Sequence, residues 1–140
     1  MLIDKIFVYG SLRSDMFNYE KLLKGKVSKT CKATINGNLF HLDNKGYPAV
    51  VPGDGTIIGE LMELKDFDKS LKELDDLENY SEDNNINCEY LRKEIEVILK
   101  YGIKEIAYYY EYNTKALNNS EDKLIEIPHG DWKEYIISKI

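Results

Sequence analysis

Residues 73–80, with the sequence ELDDLENY, hold four carboxylates in six consecutive positions. The segment has the pattern of an α-helix, which turns by about 100° per residue. On that geometry Phe67, Leu71 and Leu74 fall on one side and predict the face that packs on the core. Glu78 lies in the middle of this apolar stripe, where a surface helix normally carries an apolar residue. It is therefore the first candidate for chemistry.

A carboxylate on the apolar face of a helix could transfer protons. Burial disfavours the charged form, and the negative end of the helix dipole adds to this effect. The pKa of Glu78 should therefore rise towards neutral pH, where a general acid or base works best. The neighbouring acids differ, because Asp75 lies at the edge of the stripe and Asp76 faces water. The alternative is that the helix frays at Leu77 and Glu78 turns into solvent.

A second candidate site lies at residues 8–13, VYGSLR, where a buried strand ends in a turn. Gly10 permits a backbone conformation and a close approach that a side chain would block. The N–H groups of Ser11 and Leu12 could donate to a ligand oxygen, as in an oxyanion hole, and the Ser11 hydroxyl could add to them. An ordinary strand-ending turn is the alternative, because the motif is short. The P-loop pattern is absent.

Other site chemistries find little support in the sequence. His41 and His129 lack the spacing of zinc ligands, so we expect no metal. Cys31 and Cys88 do not form a CxxC motif, and we expect reduced thiols, with a disulfide as the alternative. No pattern indicates a Cys–His nucleophile, and a Ser–His–Asp triad built on Ser11 is left open without a feature that favours it.

Composition limits the partners and the compartment. The net charge of −6 argues against nucleic acid and against an anionic membrane surface. The N-terminus lacks the features of a signal peptide, and no apolar run approaches the roughly 20 residues of a membrane span. We therefore expect a cytoplasmic protein. Its Lys, Asn, Ile and Tyr content is typical of a bacterium with an AT-rich genome.

The elements that position these residues can be predicted from periodicity and turn signals. A chain of 140 residues without a linker predicts a single domain, residues 1–140. Strands are predicted at 5–10, 30–43 with a turn at 36–38, 57–64, and 90–113 as a hairpin that turns at 101–102. Helices are predicted at 16–25, 65–80 and 130–140, with Asp66 and Asp131 near the starts of the last two. About six strands without regular βαβ units indicate an α+β fold with a mixed, barrel-like sheet.

The motifs of the chain occur together in one order over nearly its whole length. They are VYGSLR, GYPAV, IIGELMEL, LDDLENY, YLRKEIEV, AYYYEY and GDWKEY. In this order they resemble the γ-glutamylcyclotransferase-like superfamily, which includes the AIG2-like and YtfP-like proteins. The resemblance implies a small mixed β-barrel of about six strands flanked by helices.

The resemblance also implies the residues of a site. Glu78 matches the catalytic glutamate at the end of the helix after the GEL strand. The implied cavity has the turn at residues 9–12 as its floor, and further positions match other motifs of the family. These substrate-binding positions are Tyr9, Gly10, Ser11, Leu12, Tyr47, Pro48, Tyr90, Arg92 and Tyr110. The polar loop at 79–89 is longer than in compact members and could act as a lid or specificity loop.

The activity that the resemblance implies is an intramolecular transamidation of a γ-glutamyl amide. The products are 5-oxoproline and a free amine, and neither a metal nor another cofactor is needed. The implied partner is a small γ-glutamyl substrate, whose identity the sequence does not choose, and a homodimer is left open. The alternative is a non-catalytic protein of the same fold that binds a small ligand.

Overall fold

Six strands and two α-helices make up the described part of the chain. The structure, a computed structural model, describes residues 3–10, 12–14, 16, 23–78, 80, 88–116 and 119–139. The strands are β1 (Lys5–Val8), β2 (Val27–Leu42), β3 (Tyr47–Leu64), β4 (Tyr90–Ile98), β5 (Lys104–Tyr112) and β6 (Leu124–Glu126). The helices are α1 (Phe67–Leu77) and α2 (Trp132–Ser138). Most of the helix predicted at 16–25 lies outside the described residues.

The sheet closes on itself. The strand order is β3-β1-β5-β4-β2, and β2 pairs again with β3, so that five strands form a ring with β6 added beside β2. β1 runs antiparallel to β3 but parallel to β5, with Ile6 opposite Tyr108. The sheet is therefore mixed, and the predicted α+β fold with a small mixed β-barrel is confirmed.

The predicted turn at residues 36–38 is wrong. β2 continues through these residues, and its pairing with β3 skips residues 52–55 on the partner strand. The amide of Asn38 fixes the skipped segment, because its Oδ1 accepts a hydrogen bond from the N–H of Gly55 at 3.2 Å. Asn-Gly suits both turns and bulges, and strand pairing on both sides selects the bulge here.

The hairpin of β4 and β5 is confirmed. Its turn contains Tyr101 and Gly102, whose φ angles of 62° and 76° lie in the left-handed region. The register places Arg92 of β4 directly opposite Tyr110 of β5. Since directly opposed side chains lie on the same face of a sheet, these two predicted site residues are neighbours.

The helix α1 is shorter at both ends than the predicted range of 65–80. Leu71 and Leu74 are buried as expected, which places the apolar stripe against the barrel. Asp66 precedes the helix but does not cap it: its φ of 46° is left-handed, and its side chain makes no capping hydrogen bond. An effective N-cap residue has an extended backbone that aims its oxygen at the first N–H groups.

The helix α2 begins as predicted. The carboxylate of Asp131 accepts a hydrogen bond from the N–H of Glu134 at 3.2 Å, which is the geometry of an N-cap. Trp132 follows and is 1% exposed in the core. Neither helix that the structure describes is long and apolar enough to cross a membrane.

The core divides into two groups of buried side chains. One contains Trp132 of α2 and Phe7 of β1. The other contains Leu74 of α1 together with Tyr90 and Tyr110 of the hairpin. Among the described residues, Cys31 and Cys88 form no disulfide. The second group fixes the side of the barrel on which the end of α1 lies, and this is where the candidate site is built.

Candidate active site

Glu78 lies at the C-terminal end of α1 with its helical hydrogen bond intact. Its backbone N–H donates to the carbonyl of Leu74 at 3.0 Å. The fraying at Leu77 that the sequence left open is therefore not observed. Leu77 itself is 37% exposed, whereas Glu78 is only partly exposed and lies on the barrel side of the helix.

The carboxyl group of Glu78 lies close enough to four tyrosine hydroxyls to raise their pKa values. Its charge acts on hydroxyl groups contributed by the end of β1 and by β3, β4 and β5. These belong to Tyr9, Tyr47, Tyr90 and Tyr110. No residue in the described part of the chain donates a hydrogen bond to this carboxylate. The Glu78 carboxyl thus lies among groups from the end of β1 and from β3, β4 and β5.

The pKa of Glu78 is far above that of an ordinary carboxyl group. Loss of water around the carboxyl, and then the negative charge of Glu89, raise the pKa of Glu78 from 4.5 to about 8. The residue keeps some exposed surface, but its acidic end is largely removed from water. A group with this pKa can both accept and return a proton near neutral pH.

Asp75 lies three residues before Glu78, and both oxygens of its carboxylate accept hydrogen bonds. Its Oδ1 accepts a hydrogen bond from the hydroxyl of Tyr110 at 2.7 Å, and its Oδ2 accepts one from Arg92 at 2.5 Å. The guanidinium of Arg92 lies over two rings, 5.4 Å from the centre of Tyr80 and 4.9 Å from that of Tyr108. Arg92 and Tyr110, two of the predicted substrate-binding residues, therefore meet at this carboxylate.

The turn after β1 is held by close contacts. A Cβ atom added at Gly10 would lie 2.6 Å from Cγ of Pro48 and 3.9 Å from the ring of Trp132, so only glycine fits between them. The N–H of Arg13 closes the turn by donating to the carbonyl of Gly10 at 3.0 Å. The Arg13 side chain then donates to the carboxylate of Asp131 at 2.8 Å, which ties the turn to α2.

The structure describes three of the four predicted site residues of this turn. The hydroxyl of Tyr9 is buried and donates to the main-chain oxygen of Tyr110 at 2.6 Å. Leu12 is 6% exposed and packs in the same apolar group as Leu74. Ser11 lies outside the described residues, so the oxyanion site of its N–H group and hydroxyl stays a prediction.

The Gly-Tyr-Pro segment contributes a second wall. The hydroxyl of Tyr47 donates to Glu89 at 2.7 Å, and that of Tyr90 donates to the carbonyl of Pro48 at 2.5 Å. The rings of Tyr47 and Tyr90 are 6.2 Å apart. Pro48 therefore contacts both the Gly10 turn and β4, and it brings the predicted residues of three motifs together near Glu78.

Sequence reasoning missed a charged network beside this wall. The Lys45 ammonium lies 2.6 Å from Glu89 and 2.8 Å from Asp122, and the Tyr112 hydroxyl donates to Asp122 at 2.6 Å. The position of Lys45 next to the Gly-Tyr-Pro motif is a signal that could have found it. Nothing in the sequence marks Asp122, which comes from a polar loop.

The described residues contain a groove that is separate from the predicted site residues. In the ranges that the structure covers, no three or more His, Cys, Asp or Glu side chains are placed to hold a metal ion. A shallow groove of about 400 Å³ contains none of the predicted site residues. It is lined by Ile3, Glu94, Ile95, Glu96 and Ile106.

Together these features define a small mixed barrel with an inward carboxyl group of raised pKa beside a glycine turn. The sequence matches the family model described as Gamma-glutamyl cyclotransferase, AIG2-like, over residues 6–134. The chain belongs to this family.

Individual relatives agree with this assignment. A protein named "Putative gamma-glutamylcyclotransferase MJ1514" from Methanocaldococcus jannaschii is 31% identical over 140 residues, covering 95% of this chain and 98% of that protein. The crystal structure of YkqA from Bacillus subtilis has a TM-score of 0.68 and 28% identity; the match covers 99% of this chain but only 43% of YkqA. An AIG2-like protein from Mus musculus shares the fold with a TM-score of 0.64 and 22% identity, covering 94% of this chain and 95% of that one.

Proposed function

We propose that the chain is a γ-glutamylcyclotransferase that releases 5-oxoproline and a free amine from a small γ-glutamyl amide. The observation that carries this proposal is the inward carboxyl group of Glu78, with a pKa of about 8, in a chain of this family. Glu78 is proposed as the general base and then the general acid. The reaction needs one group that can take a proton and give it back, and this pKa suits both steps.

The proposed reaction is balanced within the substrate and Glu78. The Glu78 carboxylate takes a proton from the α-ammonium group, and the free amine attacks the γ-carbonyl carbon. A new C–N bond closes the five-membered ring and gives a tetrahedral intermediate. Protonated Glu78 then donates to the leaving nitrogen as its bond to the carbon breaks, which returns Glu78 to the carboxylate. The surplus proton of the ring nitrogen passes to the released amine, so the products are 5-oxoproline and an ammonium ion.

The other predicted residues supply binding and orientation in this proposal. N–H groups after Gly10 would stabilise the oxyanion, or hold the substrate carboxylate. The rings and hydroxyls of Tyr9, Tyr47 and Tyr90 would hold the glutamyl chain in a bent form. Fixing a ring-closing conformer can supply several kcal/mol of the barrier.

The test is a panel of γ-glutamyl amides incubated with the purified protein. The panel should contain γ-glutamyl amino acids, an amide on the ε-amine of lysine, and γ-glutamyl alkylamines. We expect equal amounts of 5-oxoproline and free amine from at least one of them, at a rate that rises with pH through about 8 as Glu78 ionises. If the protein binds such amides in calorimetry without releasing 5-oxoproline, the catalytic proposal is wrong.

The role of Glu78 is tested by Glu78→Gln, which keeps the shape of the side chain but cannot take up a proton. Turnover should fall by about 10²–10⁴-fold, the usual contribution of acid–base catalysis. The matched control is Asp76→Asn on the exposed side of the same helix, which should keep the parental rate. A normal rate in the Gln variant would refute the assigned role.

A further inference from the structure

We propose that Asp75 is a positioning residue that holds the end of α1, and with it Glu78, against β4 and β5, and that Arg92 and Tyr110 serve this clamp instead of binding substrate. The clamp is defined as Asp75, Arg92 and Tyr110. This inference rests on the proposed function of Glu78 and replaces the expectation that Arg92 and Tyr110 contact the γ-glutamyl group.

The first argument is the spacing of the two acids. Asp75 precedes Glu78 by three residues, so both side chains leave α1 on neighbouring positions of one face. The backbone of Asp75 is also used, because its carbonyl accepts the N–H of Tyr80 at 2.8 Å. Asp75 therefore fixes the last turn of the helix through its backbone and its side chain, one turn from the proposed acid–base group.

The second argument is that the clamp reaches two strands. The side chain of Asp75 binds Arg92 of β4 at 2.5 Å and Tyr110 of β5 at 2.7 Å. The side chains of Asp75 and Arg92 are 18% and 12% exposed, so this ion pair is shielded from water. The positive charge of Arg92 is thus directed at Asp75, and the stacked rings on its guanidinium keep it there.

The third argument is that α1 contributes no buried apolar side chain after Leu74. The buried residues of α1 are Ser70, Leu71 and Leu74, and Leu77 is 37% exposed. Beyond Leu74 the end of the helix is therefore held by the polar contacts of Asp75, together with the partly buried ring of Tyr80, which packs on the core and against the Arg92 guanidinium. Loss of these contacts would let the end of the helix move away from the barrel.

The clamp is also continuous with the glycine turn. The main-chain oxygen of Tyr110 accepts the hydroxyl of Tyr9, the residue before Gly10, at 2.6 Å. One line of hydrogen bonds therefore runs from this turn through β5 to α1. It sets the distance between the proposed oxyanion donors and Glu78, and an error of about 1 Å in such a distance can cost about 10²-fold in rate.

The kinetic experiment compares Asp75→Asn and Tyr110→Phe with Asp76→Asn as the matched control. In both clamp variants we expect kcat to fall about tenfold or more while KM stays within about twofold. If Arg92 and Tyr110 instead bind substrate, Tyr110→Phe and Arg92→Lys will raise KM while Asp75→Asn will not. That result would overturn the proposal.

A second measurement separates positioning from a general loss of structure. Burial, and then the charge of Glu89, raise the titration midpoint of Glu78. The hydroxyls that also face it have raised pKa values and are uncharged in this pH range; they belong to Tyr9, Tyr47, Tyr90 and Tyr110. Loosening the clamp admits water to Glu78, so its midpoint should move from about 8 towards 4.5. Tyr110→Phe keeps the charge of Asp75. A lower Glu78 midpoint in this variant therefore reports a change in the position of the end of α1 and not the loss of a charge.

The midpoint can be read without turnover, from the ¹³C carboxyl signals of glutamate-labelled protein. The Glu78 signal is assigned by its loss in Glu78→Gln. We expect a midpoint near 8 in the parent and in Asp76→Asn, and a lower one in both clamp variants. If the parent releases no 5-oxoproline, the proposed function fails while this titration still decides the clamp. Unchanged midpoints in Asp75→Asn and Tyr110→Phe would overturn it.

Discussion

Asp75 and Glu78 are two carboxylates one helical turn apart, and their surroundings differ in nearly every respect. Asp75 receives a cation and a hydroxyl on its two oxygens. Glu78 receives no hydrogen bond from the described residues, and the charge that raises its pKa after burial, that of Glu89, is also negative. The carboxylate of Asp75 is thus paired with a cation, whereas the carboxyl group of Glu78, one helical turn later, has a raised pKa.

The difference shows that helix position alone does not assign a role to an acid. Charge-assisted hydrogen bonds stabilise the ionised form of a carboxylate and use up its acceptor sites. Removal of water without such partners stabilises the protonated form. On α1 the first situation is that of Asp75, for which we propose a positioning role, and the second is that of Glu78, for which we propose acid–base catalysis.

The largest expected effect is the pH dependence of the free energy of unfolding that the ionisation of Glu78 causes. Its pKa is 4.5 in the unfolded chain and about 8 in the folded protein, so between these values the folded state holds a proton that the unfolded state has lost. Stability therefore falls as the pH rises through this range, by at most roughly 5 kcal/mol. Glu78→Gln cannot ionise and should escape this loss.

Urea unfolding of the parent and of Glu78→Gln at pH 5.5 and 8.5 checks this prediction. The measurement does not require catalytic activity. The advantage of the Gln variant should widen as the pH rises. A difference that stays constant over this range would mean that Glu78 is hydrated in the folded state, and the contrast with Asp75 would disappear.

The second largest effect is a loss of stability, whereas Glu78→Gln should be stabilised relative to the parent as the pH rises. Asp75→Ala leaves Arg92 and Tyr110 without their acceptor, and we expect a loss of about 2 kcal/mol, since stranded partly buried donors typically cost about 1–3 kcal/mol. Asp76→Ala on the exposed side should stay within about 0.5 kcal/mol. Equal losses in the two variants, measured by urea unfolding at pH 7, would show that the clamp contributes nothing.

The smallest effect concerns Glu89. Its negative charge is the second cause of the raised pKa of Glu78, after burial. Glu89→Gln keeps an acceptor for Lys45 and Tyr47 but removes the charge, so the pKa of Glu78 should fall by less than about one unit. The pH profile of 5-oxoproline release should move to lower pH by the same amount. Glu94→Gln, an exposed change on β4, is the control that should leave the profile in place.

Apart from the barrel fold, which the family resemblance also implied, the features that sequence reasoning predicted are local ones. The inward direction of Glu78 follows from the helical period, and the β4–β5 hairpin follows from alternation around Tyr101-Gly102. Asp131 caps α2 as its position indicates. Each of these depends on residues within a few positions of one another, where intrinsic geometry decides.

The features that could not be predicted depend on which strands become neighbours. Asp75 meets Arg92 and Tyr110 across 17 and 35 positions, and this contact exists only because β4 and β5 lie beside α1. The bulge opposite residues 52–55 likewise depends on the long pairing of β2 with β3. The oxyanion role of Ser11 stays a prediction, because that residue lies outside the described part of the chain.

The parallel contact between β1 and β5 has a consequence for the time at which the protein becomes active during its synthesis. The β2–β3 and β4–β5 hairpins can form as soon as their own segments emerge, whereas Tyr9 and Tyr110 are 101 positions apart. Contacts of such long range form late and slowly. We therefore expect ring closure to be the last major step of folding, and a nascent chain that ends before β5 to hold a complete α1 but no reaction centre.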